Sequence, residues 1–199
     1  MTSSSRPEIK VTTLLIAVQA VITVALAFGM AAMVDHFFVG NNHYTHELLW
    51  ALLPNARAVL IGFAVTPAFL VLSEVIPYIR ERWLKLPTEN VNNYSVPTST
   101  FGYVLRALLS GSSEEILFRG LIQATLGLWV AAALFALLHL VSKKAWPYAA
   151  STFIYGVFLG LVYIVAGNLW APMIAHMINN FVGMHPAING WADRFLLRK

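Results

Sequence analysis

The chain of 199 residues contains no cysteine and few charged residues, since Asp, Glu, Lys and Arg together make up 11% of it. The first absence excludes disulfide bonds, cysteine-ligated zinc and cysteine protease chemistry. The fraction of charged residues lies far below the roughly one quarter that is usual in soluble domains. Hydrophobic residues instead reach 58% and the mean hydropathy is +0.68. This composition predicts an all-α, polytopic membrane protein with one transmembrane domain, residues 1–199.

The first predicted span is residues 11–34, which contain no Asp, Glu, Lys or Arg. A run of this length crosses a hydrocarbon core of about 30 Å as a helix. Arg6 and Lys10 precede it and Ala25-Leu26-Ala27 resembles a cleavage site, so a removable signal peptide is an alternative. Because the run exceeds the roughly 7–15 apolar residues of a signal peptide, we expect an uncleaved span.

The second predicted span is residues 58–78, which carry Glu74 as their one charged residue. It precedes the basic residues Arg80, Arg82 and Lys85, which are expected on the cytoplasmic side. The intervening residues 35–55 are predicted to be an external loop. Residues 87–100 are rich in Pro, Asn, Ser and Thr and indicate a cytoplasmic linker.

The remaining half of the chain is largely apolar. As one helix, residues 101–141 would be about 60 Å long, twice the bilayer core, so the pattern predicts two antiparallel helices with a break near Gly127. Further spans are predicted at 147–166 and 169–184. The result is a bundle of about six transmembrane helices with both termini cytoplasmic, which agrees with the positions of the basic residues.

The net charge of +4 comes mostly from short basic clusters at the ends of spans. Such clusters contact lipid headgroups and set topology, so the predicted partner is the lipid bilayer, with no nucleic acid. The small size and short loops suggest the prokaryotic cytoplasmic membrane.

Glu114, Glu115 and Arg119 lie in one of the most apolar stretches of a chain that has nine acidic residues in all. Ionisable groups at membrane depth are expensive and by default mark a functional site. Ser112 and Glu115 also match the capping box of a helix start, which is the structural alternative. The i, i+4 spacing predicts an ion pair of Glu115 with Arg119. Glu114, about 100° away, has no local partner and suits a general base.

Polar residues also occur in the two neighbouring apolar stretches. His139 follows Phe135 by four residues, and Asn180 follows His176 by four, so each pair lies on one helical face. Alone, each has a structural explanation: His139 as a hydrogen-bonded residue of helix packing, and the pair His176 and Asn180 through hydrogen bonds between helices. Polar groups at compatible depth in three spans indicate an active site.

The three ordered patterns Glu114-Glu115-x-x-x-Arg119, Phe135-x-x-x-His139 and His176-x-x-x-Asn180 resemble the motifs of the CPBP family, the CAAX proteases and bacteriocin-processing enzymes also called Abi proteins. The resemblance covers a core of about residues 100–187. It implies a glutamate-dependent intramembrane endopeptidase that cuts a membrane-associated protein or peptide near its C-terminus or membrane anchor.

The same resemblance implies the roles of the motif residues. Glu114 with His139 would activate water, and His176 with Asn180 would stabilise the oxyanion, while Glu115 and Arg119 would have supporting roles, as would Phe135. Amide hydrolysis requires such a base and such donors. No cofactor is predicted.

Three alternatives remain open at this point. Glu114, His139 and His176 are a possible set of zinc ligands with an open fourth position, although no familiar zinc spacing is present. A non-catalytic binding or bacteriocin-immunity protein is possible because a fold does not guarantee a function. An ion pathway would also place Glu and His in spans, but it should show broken helices or repeat symmetry.

Overall fold

The computed structural model describes residues 6–84, 86, 99–140, 142–185 and 187–188. These residues contain no strand, and the all-α fold class is confirmed. The helices, numbered in chain order, are α1 Arg6–Val34, α2 His43–Leu52, α3 Ala56–Tyr78, α4 Thr100–Glu115, α5 Leu128–Leu138, α6 Trp146–Ala166 and α7 Trp170–Met184.

Three of these helices continue into wider, π-helical turns: Asp35–Val39 after α1, Ile79–Trp83 after α3 and Ile116–Gln123 after α4. The last of these runs on through Ala124–Leu126 and stops at Gly127, whose φ of 86° is open to glycine and strained for other residues. The predicted break between two antiparallel helices is therefore confirmed at Gly127.

The capping-box alternative at Ser112 is wrong, because this residue lies inside a continuous helix. Its hydroxyl donates to the carbonyl oxygen of Leu108 at 2.6 Å. The helix begins at Thr100, fourteen residues before Glu114, and is capped by Ser99, whose hydroxyl accepts from the backbone N–H of Gly102 at 3.1 Å. Glu114 and Glu115 are thus held in the middle of a long helical segment.

The prediction of a loop conformation at residues 35–55 is also wrong, since most of this segment is helical, whereas its external location stays a prediction. The buried carboxylate of Asp35 accepts from the backbone N–H groups of Tyr44 and Thr45, at 2.8 and 2.9 Å. A carboxylate at a helix N-terminus satisfies donors that have no partner within the helix and interacts favourably with its dipole. A capping partner nine residues away in the sequence has no short local signature.

Three helices are long and apolar enough to cross a membrane within the described residues: Leu14–Val39, Ala56–Glu81 and Lys143–Ala166. Leu128–Leu138 is apolar but shorter. The helical segment that holds Glu114, Glu115 and Arg119 falls outside this set, as does α7. The number of six spans and the cytoplasmic termini stay predictions. The predicted linker lies largely outside the described residues, as do Arg194, Arg198 and Lys199, the basic residues that predict a cytoplasmic C-terminus.

Helix α7 packs between α3 and α4, and its start is fixed to the end of α2. The backbone N–H of Leu169 donates to the carbonyl of Ala51 at 3.0 Å, and the side-chain amide of Asn168 donates to Leu53 at 3.1 Å. The indole N–H of Trp170 donates to the carbonyl of Leu52 at 3.0 Å. These bonds hold the helix that carries His176 and Asn180.

Helices α4 and α7 approach closely at Gly111. A Cβ atom at this position would lie 2.9 Å from the backbone nitrogen of Met177. Glycine therefore permits the separation at which short polar side chains can reach from one helix to the other.

Candidate active site

Glu114 and Glu115 lie where α4 passes into its π-helical turns, a feature that recurs at functional sites. Glu115 is fully buried, whereas the side chain of Glu114 is 23% exposed. Both carboxylates approach the same imidazole of α7. The Oε1 atom of Glu115 lies 2.8 Å from Nδ1 of His176, and Oε2 of Glu114 lies 3.9 Å from its Nε2. His176 thus lies between two neighbouring carboxylates.

The expected ion pair of Glu115 and Arg119 is present. Nε of Arg119 lies 3.0 Å from Oε2 of Glu115, and both side chains are fully buried. The three guanidinium nitrogens have no hydrogen-bond partner of good geometry, so charge and proximity hold the pair rather than a well-directed bond. Because both side chains are fully buried, their attraction is weakly screened, and the loss of either would leave the other charge buried without a partner.

Phe135 of α5 covers this pair and connects it to both histidines. The Cζ atom of Arg119 lies 5.2 Å from the centre of the Phe135 ring, within the range of a cation–π interaction. The same ring packs against His139 and, edge-on, against His176, with centroids 4.7 and 6.0 Å apart. Phe135 therefore fills the centre of the motif residues.

His139 directly follows the last residue of α5 and is half-buried. Its Nδ1 lies 2.7 Å from the carbonyl oxygen of Phe135. Because a carbonyl can only accept, Nδ1 carries the proton, and Nε2 of the neutral ring is left as an acceptor. The ring joins the site through Phe135, whereas the imidazole that contacts the glutamates is His176. The joint action of Glu114 and His139 stays a prediction.

Asn180 lies one turn after His176 on α7, and its contact reaches a residue outside the three motifs. Its Nδ2 donates to the hydroxyl oxygen of Ser110 at 3.0 Å. Ser110 lies one turn before Glu114 on α4, so the two helices are joined at two successive levels. We call Ser110, Glu114, Glu115, His176 and Asn180 the polar seam.

The contribution of Ser110 escapes sequence reasoning, since serines are frequent in the helices of this chain. The available signal is its position four residues before Glu114, on the same helical face. Its contact with Asn180 joins residues 70 positions apart.

A zinc site would require Glu114, His139 and His176 to surround one point. Within the part of the chain that the structure describes, no three His, Asp or Glu side chains are arranged as ligands of one ion. Glu114 approaches His176, whereas the ring of Phe135 contacts both histidines.

The opposite face of α7 borders a cavity of about 290 Å³ with an entirely apolar lining. Ile174, Ile178 and Phe181 follow one another at intervals of four and three residues and so share this face. Phe63 of α3 and Leu108 of α4 complete much of the wall. The cavity is thus separated from the polar seam by α7 itself.

The fold and the site define a class: an all-helical bundle with helices long enough for a bilayer and a seam of glutamate, histidine and asparagine inside it. Residues 96–182, less than half of the chain, match the type II CAAX prenyl endopeptidase family, Rce1-like. The family resemblance indicated by the three ordered motifs is thereby confirmed, and the match includes all of them.

A curated relative agrees with this result over a shorter segment. The chain is similar to "Uncharacterized protein YpbD" of Bacillus subtilis (strain 168), with 40% identity over 75 residues. This match covers 38% of the present chain and 40% of the length of the relative. No solved structure gives a significant match.

Proposed function

We propose that this protein is a glutamic-type intramembrane endopeptidase, a multi-pass protein of the prokaryotic cytoplasmic membrane. Its substrate is a membrane-associated protein or peptide, cut near the C-terminus or the membrane anchor. The observation that carries the proposal is the buried His176 between Glu114 and Glu115, in a segment that matches a prenyl endopeptidase family.

The two glutamates differ in what they are free to do. Glu115 is fully buried and lies against both Arg119 and His176, so its carboxylate is already engaged. Glu114 is partly exposed and lies 3.9 Å from the nearest His176 nitrogen, beyond hydrogen-bond distance. Glu114 is therefore the carboxylate that water can reach, and it acts as the general base. When the ring of His139 is neutral, its Nε2 is an acceptor, and it serves as the second group that orients this water.

His176 and Asn180 supply the donors for the oxyanion. Since Nδ1 of His176 donates to Glu115, donation from Nε2 requires a ring with protons on both nitrogens. The carboxylate of Glu115 compensates the charge of such a ring. The amide of Asn180 has two N–H groups, of which one donates to Ser110 and the other remains for the substrate.

The hydrolysis then proceeds in two stages. A water oxygen forms a bond to the carbonyl carbon of the scissile peptide while its proton passes to Glu114, and the carbonyl oxygen becomes an oxyanion held by His176 and Asn180. The carbon–nitrogen bond breaks as Glu114 returns the proton to the leaving amine, which gives a carboxylic acid and an amine. The acid then transfers its proton, the second hydrogen of the water, to the amine, so the final products are a carboxylate and an ammonium.

The test compares purified wild type with Glu114→Ala on a library of membrane-anchored peptides in liposomes, with and without a chelator. Loss of a general base should lower the rate by about 10²–10⁴-fold. Glu47→Ala is the matched control, because Glu47 lies exposed on α2 and its loss should leave the rate unchanged.

The other outcomes lead to different functions. Inhibition by the chelator that zinc reverses would contradict the glutamate mechanism and favour a metalloprotease. A folded wild type that cleaves no peptide in the library would favour a binding or immunity protein.

A further inference from the structure

We propose that Ser110 is a positioning residue that fixes the orientation of the Asn180 side-chain amide, so that an N–H group and not the oxygen faces the substrate oxyanion. This inference rests on the proposed function and concerns the same site.

The direction of each hydrogen bond is determined by chemistry. The Ser110 hydroxyl donates its one hydrogen to the backbone carbonyl of Arg106 at 2.9 Å. The lone pairs of Oγ are left to accept, so the Asn180 atom that lies 3.0 Å away must be the donor, Nδ2. Ser110 thus accepts a hydrogen bond from an N–H group and has no hydrogen left to donate to the amide oxygen of Asn180.

This selectivity matters because the two ends of an asparagine amide have nearly the same shape. A rotation of 180° about the last bond would bring Oδ1 to the position of Nδ2. An amide oxygen directed at a developing oxyanion would repel it, whereas an N–H stabilises it. Fixing the amide before the reaction also avoids reorganisation during it.

Two neighbouring serines bond differently and serve as comparisons. Ser112 donates to the Leu108 carbonyl at 2.6 Å, and Ser113 donates to the Ser110 carbonyl at 3.3 Å. Both bonds stay within α4, so they stabilise or bend this helix without reaching α7. Ser110 also donates within α4, but in addition it accepts a hydrogen bond from Asn180 of α7, the residue proposed as an oxyanion donor.

The experiment measures kcat and KM on a peptide that the wild type cleaves, for Ser110→Ala, Ser110→Thr and Ser112→Ala. Removal of the Ser110 hydroxyl should lower kcat by about 10-fold, part of the roughly 10²–10³-fold loss expected for a missing oxyanion donor, and leave KM unchanged. Ser110→Thr keeps a hydroxyl on the same carbon and should restore kcat. Ser112→Ala should match the wild type.

A double-mutant cycle with Asn180→Ala separates positioning from a structural effect. If Ser110 acts through Asn180, Ser110→Ala should have no further effect on kcat once Asn180 is removed. An equal further loss in that background would overturn the inference. So would a wild-type kcat for Ser110→Ala in a panel where Asn180→Ala is slow.

Two additional variants keep the outcomes distinguishable. If Ser110→Ala does not fold, Ser110→Cys takes its place in the experiment. Sulfur is a weaker acceptor than the hydroxyl oxygen, so this variant should also have a reduced kcat and an unchanged KM. Glu114→Ala belongs to the same panel. An inactive wild type, or an active Glu114→Ala, overturns the proposed function and this inference with it. If Glu114→Ala abolishes activity but the substitutions of Ser110 leave kcat unchanged, this inference alone is overturned.

Discussion

The two faces of α7 differ in what holds them in place. One face presents His176 and Asn180 to α4 through side-chain contacts of 2.8 and 3.0 Å. The other presents Ile174, Ile178 and Phe181 to an apolar cavity shared with α3 and α4. Directed bonds specify an orientation for each atom of the polar seam, whereas apolar contacts specify only shape and volume.

This difference predicts unequal sensitivity to substitution along a single helix. A polar partner lost from the seam leaves a buried donor, acceptor or charge without its counterpart, which is costly. An apolar side chain shortened beside an existing cavity enlarges space that is already empty. Substitutions in the polar seam should therefore have larger effects than substitutions beside the cavity.

Glu115→Ala should have the largest effect on stability. It leaves the fully buried Arg119 without its counter-charge, and breaking a buried pair in this way costs about 3–5 kcal/mol. Thermal unfolding in detergent measures the loss, with the exposed Glu47→Ala as the neutral control.

A compensating variant sharpens this prediction. Glu115→Leu combined with Arg119→Leu removes both charges, so it should regain much of the stability, as replacement of buried ion pairs by apolar residues often does. If Glu115→Ala alone is as stable as the wild type, the buried charge of Arg119 does not require compensation by this glutamate.

Asn180→Ala and Ile178→Ala compare the two faces directly, two residues apart on α7. The first should lower kcat by about 10²–10³-fold, the usual effect of losing an oxyanion donor. The second borders the cavity and should change kcat by less than about 3-fold, because it removes no directed contact to the seam. Similar losses of kcat from both variants would remove the distinction between the faces.

Gly111→Ala should destabilise the protein less than Glu115→Ala, and its effect should extend to both faces of α7. The added Cβ would meet the backbone nitrogen of Met177 at 2.9 Å, so α4 and α7 must separate, at about 1–3 kcal/mol. Gly29→Ala is the matched control, because a Cβ at this exposed position of α1 has nothing within 4 Å. Equal unfolding temperatures of the two variants would contradict the close approach.

The features that could be predicted from the sequence are those with short-range patterns. Gly127 breaks the long apolar stretch where residue count and bilayer thickness require a turn. Glu115 and Arg119 pair because four residues bring two side chains to one face of a helix. The three motifs were sufficient to indicate a family that residues 96–182 match.

The features that could not be predicted depend on distant parts of the chain. Glu114 was expected to have no local partner, which left open that α7 places His176 beside it and beside Glu115, about 60 positions further along the chain. Helix α2 lies inside the predicted loop and is capped by Asp35, a residue that precedes the helix and does not belong to it. Spacing within one helix carries no information on such contacts.

Glu115 and His176 are in contact although they are separated by 61 positions in the sequence, so they are synthesised at different times. A ribosome makes the chain from its N-terminus, so the glutamates and Arg119 are synthesised well before the last helix that completes their surroundings. A nascent chain that ends before residue 170 has neither His176 nor Asn180 to stabilise an oxyanion. Under the proposed function, the reactive centre would therefore be complete only once α7 is in place, and incomplete chains would be unable to cut neighbouring polypeptides at the site of their synthesis.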